Sequence, residues 1–358
     1  MTDQTTSAGL NAAALVMAYK RRSLRRVGLV AGAVIVMMCL VVLDIITGPA
    51  NLSFGRTLAV ILDPSLASPK EQVIIWQLRL PVALMAVTVG AMLGVAGAEM
   101  QTILNNPLAD PFTLGLSSAA SFGAALAIVL GWSVVPGVGG LFVTANAFVL
   151  AMLTSGCLFL FTRLRGVTPE AMILVGIAML FTFNALLAFL QYGASELQLA
   201  QLIFWQLGSL ARASWAKVGV CIAVLLIVLP FFMSRSWALT ALRMGEEKAA
   251  ALGVNVSLLR MSVLAGVSLL SAVAVSFVGA VAFVGLVGPH IARMIVGEDQ
   301  RGFLPLSALC GALIMSGTSI ASKAITPGIV YPIGMITSLI GIPFFILLIL
   351  GQRKRHWQ

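Results

Sequence analysis

Long apolar runs alternate with short polar segments along most of this chain of 358 residues. A helix needs roughly 20 consecutive apolar residues to cross a bilayer, and ten segments of the sequence approach or reach that length. We therefore predict an all-α, polytopic integral membrane protein with about ten transmembrane helices. The predicted spans are residues 27–48, 82–102, 113–131, 141–162, 171–192, 217–234, 261–278, 280–296, 303–321 and 331–350.

Two of the predicted loops are longer than the others. The outer loop, residues 46–80, is amphipathic in places, and we expect it to lie on the outer surface. The inner loop, residues 235–260, is the most polar internal segment, and its GEEKAAALG core predicts a short helix that Gly253 ends. Such a helix, parallel to the membrane, would be a docking element for a cytoplasmic partner. A simple solvated linker is the alternative.

The charge pattern sets the orientation. The chain is 60% hydrophobic and 9% charged, whereas soluble domains carry about a quarter charged residues. A net charge of +10 could indicate nucleic-acid binding, but that function needs basic residues on one soluble face. The ten spans instead divide Lys and Arg sixteen to six between the two sides, and the richer side is cytoplasmic. Both termini are then cytoplasmic, with a segment 1–26, a transmembrane domain 27–350 and a basic tail 351–358.

Several kinds of chemistry are absent from the sequence. It has no Walker A motif and no soluble insert large enough for a nucleotide-binding fold, so uphill transport needs a partner or an ion gradient. Its four cysteines have no metal-ligand spacing, and we expect them to pack as small core residues. Two histidines are too few for a metal site, and we expect His290 to form a structural hydrogen bond. Glu99 is the one carboxylate well inside a span, and we expect it to form a hydrogen bond there.

The segment NNPLADP (105–111) interrupts the apolar sequence between the second and third spans. Unsatisfied peptide groups are costly at membrane depth, so this segment lies at the interface or is buried in protein. Asn and Asp side chains cap helices, and proline fixes turns. The pattern predicts an ordered, capped reversal. Glycines cluster in the neighbouring span (89–97) and again at 278–288, which favours close helix packing in the bundle interior.

Six motifs, in order along the chain, resemble those of the FecCD/BtuC-type permeases, the binding-protein-dependent ABC subunits for iron-siderophore, haem and cobalamin uptake. The motifs are RLP, LGVAGAEMQTILNNPLADPFTLGLSSAASFGAALAI, FWQLGSLARASW, GEEKAAALG, VAFVGLVGPHIAR and YPIGMITSLIGIPFFILLIL. The resemblance runs from about residue 27 to the C-terminus. The residues that match its structural motifs are Gln101, Asn106, Pro107, Asp110, Pro111, Gly115, Pro289 and His290.

The resemblance implies a type II ABC importer permease in the bacterial inner membrane. A second permease subunit, identical or paralogous, would complete a central path. Two cytoplasmic ATPases would bind beneath it, and a periplasmic substrate-binding protein would dock above. The chain itself would be no enzyme and would bind no cofactor, since ATP and Mg would be held by the partner ATPases.

The resemblance also assigns residues to roles. Arg79 and Lys323 would contact the binding protein, although Val82 stands where the family has a second arginine. Thr168, Pro169 and Glu170 would form an inner gate, and we expect Thr168 and Asn184 to line the path. The inner-loop helix would be the ATPase-coupling element, with coupling residues Gly245, Glu246, Glu247, Lys248, Ala251, Leu252 and Gly253.

A permease for a ferric siderophore is the predicted function, with haem or cobalamin as alternative cargoes for the same architecture. An ion-coupled secondary transporter belongs to a different class. It would predict discontinuous helices or paired charges at the membrane midplane in both halves, and Glu99 alone is a poor match for that pattern.

Overall fold

The computed structural model describes residues 28–48, 53–135, 137, 141–165 and 168–352, which contain helices and no strand. The all-α prediction is confirmed, while the segment 1–26 and the end of the basic tail lie outside the described residues. In chain order the helices are α1 (Gly28–Ile46), α2 (Phe54–Leu62), α3 (Pro69–Ile103), α4 (Leu116–Leu130), α5 (Phe142–Arg165), α6 (Pro169–Tyr192), α7 (Glu196–Gln206), α8 (Trp215–Ser234), α9 (Ser236–Leu242), α10 (Glu246–Ala251), α11 (Val256–Val278), α12 (Val284–Val296), α13 (Gln300–Ala324) and α14 (Ile333–Gln352).

Each of the ten predicted spans coincides with a helix. Seven of these helices are long and apolar enough to cross a membrane, namely α1, α3, α5, α6, α8, α11 and α13. The other three, α4, α12 and α14, contain shorter apolar stretches. The sequence did not predict α7 and α9, which lie between spans and are too short to cross a bilayer.

The outer loop differs from its prediction. Its first amphipathic stretch forms α2, but its second is the beginning of α3, which runs without interruption from Pro69 to Ile103. Within α3, residues Val73–Arg79 form π-helical turns, and the amide of Leu80 donates to the carbonyl of Ile75. Proline lacks an N–H and its ring excludes the carbonyl four residues earlier, so Pro81 accounts for the wider hydrogen-bond register just before it.

Helix α3 is the centre of the bundle, and glycines bring its backbone against α12 and α13. A Cβ atom added to Gly94 would lie 2.2 Å from the carbonyl oxygen of Ser307, and one added to Gly97 would lie 1.7 Å from that of Gly285. Hydrophobicity does not drive helix association in lipid, so close backbone packing of this kind does. The prediction that the glycine-rich spans pack in the interior is confirmed.

Three irregular segments on the outer side satisfy one another's backbone groups. The amide of Ser209 donates to Val278 at 2.6 Å, and the amides of Ile333 and Gly334 donate to Gly208 and Leu207 at 3.1 and 3.0 Å. Non-helical backbone is tolerated in a membrane protein where it is buried in this way. The eighth predicted span therefore begins as a helix at residue 284 rather than 280.

The cysteine prediction holds for two residues of four. Cys221 and Cys310 are buried, whereas Cys39 and Cys157 are exposed on the surface of the chain. An apolar helix in lipid presents apolar residues on both its faces, so apolar flanking sequence does not identify a buried position.

Candidate translocation and coupling site

The inner-loop helix α10 has the ends that its sequence predicts. Glu246 and Glu247 occupy its first turn, where negative charge is favourable. At the other end Gly253 adopts a φ of +85°, and the amides of Gly253 and Val254 donate to Ala250 and Ala249 at 2.9 and 3.0 Å. These two bonds form a Schellman motif. The prediction that Gly253 ends this helix is confirmed.

The exposed side of α10 and its C-terminal end carries both charged and apolar residues. Glu247 and Lys248 are exposed, Ala249 is buried, and Leu252 just beyond the helix is 51% exposed. The helix is thus anchored to the bundle by one face and presents the other. This arrangement is suited to a docking element, while the coupling role of residues 245–253 stays a prediction.

Glu246 does not point away from the bundle. Its carboxylate lies 2.5 Å from the guanidinium of Arg260 on α11, and the Arg260 Nε donates to the carbonyl of Ile103 at 3.0 Å. Arg260 is only 2% exposed. No sequence motif indicates a role for Arg260. Its available signal was an arginine at the edge of an apolar run, close to a predicted helix rich in glutamate.

A pocket of about 310 Å³ opens at this point. Its lining includes Gly245, Glu246 and Arg260 together with Thr168, Pro169 and Glu170. The structure therefore brings together the predicted gate residues and the predicted coupling helix, which are about 75 residues apart in sequence. The remaining lining residues are Thr102, Leu104, Asn105 and Leu242.

Thr168 and Asn184 are both on α6 but are not close together. The Thr168 hydroxyl accepts from the amide of Ala171 at 3.2 Å and so caps the helix. Asn184 follows 16 residues later, which is about 24 Å along a helix, and it is exposed. It lies outside the inner pocket. Much of α6 is exposed with it, including Phe181 and Phe189 at 67% and 78%, so this helix has a large surface available to lipid or to a second subunit.

The NNPLADP segment is the ordered reversal that its composition predicts. The side chain of Asn106 accepts from the amide of Leu108 at 2.9 Å, and that of Asp110 accepts from Phe112, also at 2.9 Å. Gly115 then takes a φ of +81° against the backbone of α6. Asp110 and Pro111 are buried. Pro107 precedes them in the turn.

Polar side chains join the end of α3 to its neighbours. Gln101 accepts from the Arg293 guanidinium at 2.9 Å and donates to the carbonyl of Leu286 at 3.5 Å, both on α12. Arg243 donates to Asn105 at 2.8 Å and pairs with Glu298. The reversal is thus fixed to α12 and to the segment that precedes α10.

Two expectations about polar groups in the spans are wrong. Glu99 is fully buried, but neither of its carboxylate oxygens has a hydrogen-bond partner among the described residues. His290, next to the buried Pro289, contacts Phe344 edge-on with ring centres 6.2 Å apart. We expected a structural hydrogen bond from His290, and none is present within the described part of the chain.

A larger cavity, about 1090 Å³, lies on the outer side. Four of the six outer basic residues line it: Arg79, Arg212, Lys217 and Lys323. No carboxylate is among its described lining residues, which are otherwise mostly apolar. Lys323 pairs with the Asp44 carboxylate outside this lining, so the cavity keeps a smaller net positive charge and is partly hydrophobic.

The two predicted docking residues face this cavity and also bind within the chain. Arg79, which is 9% exposed, donates to the carbonyls of Ile45 and Ile46 at 2.8 and 3.0 Å. Lys323 pairs with Asp44 at 2.7 Å. Both hold the outer end of α1 in place. Their contact with a binding protein stays a prediction.

The outer surface around α2 carries a separate set of exposed polar contacts. Arg56 pairs with Glu71 at 2.8 Å, and hydrogen bonding to this carboxylate raises the pKa of Arg56. The hydroxyl and amide of Ser65 bind the carboxyl of Asp63 and lower its pKa. These contacts order the loop between α2 and α3.

Comparison with known proteins supplies the context for these sites. The sequence model of the FecCD transport family matches residues 31–351. The hemin transport system permease protein HmuU of Yersinia pestis is 35% identical, over 79% of this chain and 85% of its own. The vitamin B12 import system permease protein BtuC of Yersinia enterocolitica is also 35% identical, over 79% and 83%. The molybdate import system permease protein MolB of Haemophilus influenzae is 32% identical, over 80% and 83%.

A solved structure has the same architecture. It is an inward-facing conformation of a metal-chelate type ABC transporter, 31% identical, with a TM-score of 0.80. The match covers 90% of this chain and 99% of the solved one. The helix order described above is therefore that of a type II ABC importer permease.

Proposed function

The chain belongs to the FecCD transport family and is a membrane permease of the ABC importer class; from this premise we propose that it carries a ferric siderophore from the periplasm to the cytoplasm. The proposed assembly contains a second permease subunit, two cytoplasmic ATPases and a periplasmic binding protein. ATP and Mg would bind to the ATPases and not to this chain.

The basic outer cavity is the observation that supports this cargo. Its net positive charge, which remains although Lys323 pairs with Asp44, and its mostly apolar lining suit a bulky, anionic, partly hydrophobic ligand. Ferric complexes of catecholate and carboxylate chelators have this character. Haem, with its two propionates, is the second candidate on the same observation. Cobalamin lacks carboxylates that would match the cavity, so we rank it below both.

Transport would proceed through the sites in order. The binding protein would dock on the outer side, using Arg79 and Lys323, and its acidic residues would be steered there by the basic surface. The cargo would pass along a path lined by Thr168 and Asn184 towards the gate at Thr168, Pro169 and Glu170. The ATPases would move the coupling residues 245–253, of which Gly245 and Glu246 line the same inner pocket as that gate.

Reconstitution tests the proposal. The chain is coexpressed with its cognate ATPase, binding protein and any second permease, and ATP-dependent uptake into proteoliposomes is measured for a ferric catecholate, a ferric hydroxamate, haem and cobalamin. We expect ferric siderophore uptake that needs both ATP and the binding protein, with an ATPase-inactive partner as the control. Uptake of cobalamin or haem alone would overturn the siderophore assignment.

A further inference from the structure

We infer that Arg260 is a positioning residue that links movement of the coupling helix α10 to the inner end of α3. The inference rests on the proposed function, because it assigns a route by which ATPase movement reaches the bundle. Arg260 is outside the motifs that relate this chain to its family, and nothing in the sequence pattern assigns it a role.

One guanidinium group binds two separate elements. Its Nη2 lies 2.5 Å from the Glu246 carboxylate on α10, and its Nε lies 3.0 Å from the carbonyl oxygen of Ile103, the last residue of α3. Because the guanidinium is planar and rigid, its two contacts are fixed relative to each other. Both bonds are charge-assisted and so are stronger than neutral hydrogen bonds.

The two ends of this link lie in different environments. The Arg260 side chain is 2% exposed, whereas that of Glu246 is 52% exposed, at the inner surface where the ATPases would bind. At the buried end, the last carbonyls of a helix have no partner within it and favour a cation. The link therefore runs from an accessible helix directly to the helix at the centre of the bundle.

The inner pocket places this contact beside the proposed gate residues. Arg260 and Glu246 line it together with Thr168 and Glu170 at the start of α6. Displacement of α10 together with the end of α3 changes the space beside those gate residues. Breaking the contact between Glu246 and Arg260 should therefore change how strongly ATP hydrolysis is coupled to transport. This coupling is a free energy between the two sites.

A purely structural role for Arg260 predicts something different. It would lower the amount of folded, assembled complex without changing the number of cargo molecules moved per ATP hydrolysed by the complex that does assemble. The ratio of transport to hydrolysis therefore separates positioning from simple stabilisation.

The experiment uses the reconstituted complete transporter with Glu246→Gln, Glu246→Ala and Arg260→Lys. Assembly is followed by size-exclusion chromatography, and ATP hydrolysis and cargo uptake are measured in the same proteoliposomes. Arg301→Gln is the control, because Arg301 is an exposed basic residue on the same side. We expect Glu246→Ala to assemble and hydrolyse ATP while cargo moved per ATP falls at least about fivefold, the lower end of usual coupling.

Glu246→Gln keeps a hydrogen-bond acceptor and should fall between wild type and Glu246→Ala. Arg260→Lys keeps the charge but loses the planar guanidinium that makes both contacts. It should therefore also lower the number of cargo molecules moved per ATP. If Arg260→Lys does not assemble, the two Glu246 variants test the inference. The Glu246 side chain is 52% exposed, so replacing it should not prevent assembly. An unchanged ratio in Glu246→Ala, or an equal loss in Arg301→Gln, would overturn the inference. Absence of ATP-dependent uptake in the wild type would instead overturn the proposed function.

Discussion

The Nζ of Lys323 lies 2.7 Å from a carboxylate oxygen of Asp44 and joins the outer end of α13 to the end of α1. Lys323 also donates to the Asp44 carbonyl at 3.0 Å, and Ser319 donates to the carboxylate at 3.1 Å. Asp44 is 1% exposed. A buried charge whose partner is removed is strongly unfavourable, so each residue of this pair requires the other.

Breaking this pair should destabilise the protein. We expect Asp44→Asn and Lys323→Met each to reduce the free energy of unfolding by about 3–5 kcal/mol, the usual cost of an uncompensated buried charge. The double variant Asp44→Asn/Lys323→Met should regain part of that loss. Thermal unfolding in detergent measures all three.

The exposed pair of Arg56 and Glu71 provides the control. Its arginine is 45% exposed and its glutamate 18%, and pairs that water reaches contribute little because water screens them. Glu71→Gln should therefore lower the unfolding temperature much less than Asp44→Asn does. A loss equal to that of Asp44→Asn would contradict the burial argument.

Gly97→Ala should disrupt the bundle. The added Cβ would meet the Gly285 carbonyl at 1.7 Å, and backbone cannot move aside as a flexible side chain can. Overpacking usually costs about 1–3 kcal/mol, and we expect at least the upper end of that range. The yield of folded protein and its unfolding temperature both report the change.

The matched variant for this prediction is Gly317→Ala on α13, where nothing lies within 4 Å of the added atom. Alanine is the better helix former, so this variant should be as stable as the wild type or more so. Equal losses at the two glycines would contradict the prediction, because the loss would then not depend on the contact between α3 and α12.

Gly253→Ala tests the end of the coupling helix by conformation alone. No atom lies within 4 Å of the added Cβ, but the φ of +85° is strained for alanine. The left-handed conformation costs about 1–2 kcal/mol for a residue with a side chain, so the last turn of α10 should open more often. We expect faster hydrogen exchange at the amides of residue 253 and Val254. Gly219→Ala is the unstrained control and should leave exchange at these amides unchanged.

Cysteine labelling tests the proposed path. Thr168→Cys and Asn184→Cys should react with a membrane-impermeant thiol reagent, because both positions are exposed in the chain. The reaction rates should change with ATP, because the proposed path opens and closes as the ATPases move. Each is introduced into a background in which the exposed Cys39 and Cys157 are replaced by serine. A site that is unlabelled, or labelled equally in both states, does not line a gated path.

Most of the secondary structure followed from the sequence because the bilayer restricts the options. Apolar runs long enough to span must be helices, which identifies seven of the ten positions, and the other three are shorter apolar runs between polar segments. The reversal at Asn106 and Asp110 and the stop at Gly253 followed from local hydrogen-bonding chemistry within a few residues. Hydropathy does not predict the π-helical turns before Pro81 or the helix α7, because neither changes the alternation of apolar and polar segments.

Contacts between residues far apart in the chain did not follow from the sequence. The class of protein, the approximate spans, the end of α10 at Gly253 and the family all follow from the sequence, because they depend on composition, local geometry and ordered motifs. Helix packing was needed to show that Arg260 binds both Glu246 and Ile103, that Lys323 pairs with Asp44, and that Glu99 has no hydrogen-bond partner among the described residues. In a chain where apolar residues face both the core and the lipid, burial cannot be deduced from hydrophobic pattern. The partners of the few polar groups are set by helix packing across long separations in sequence.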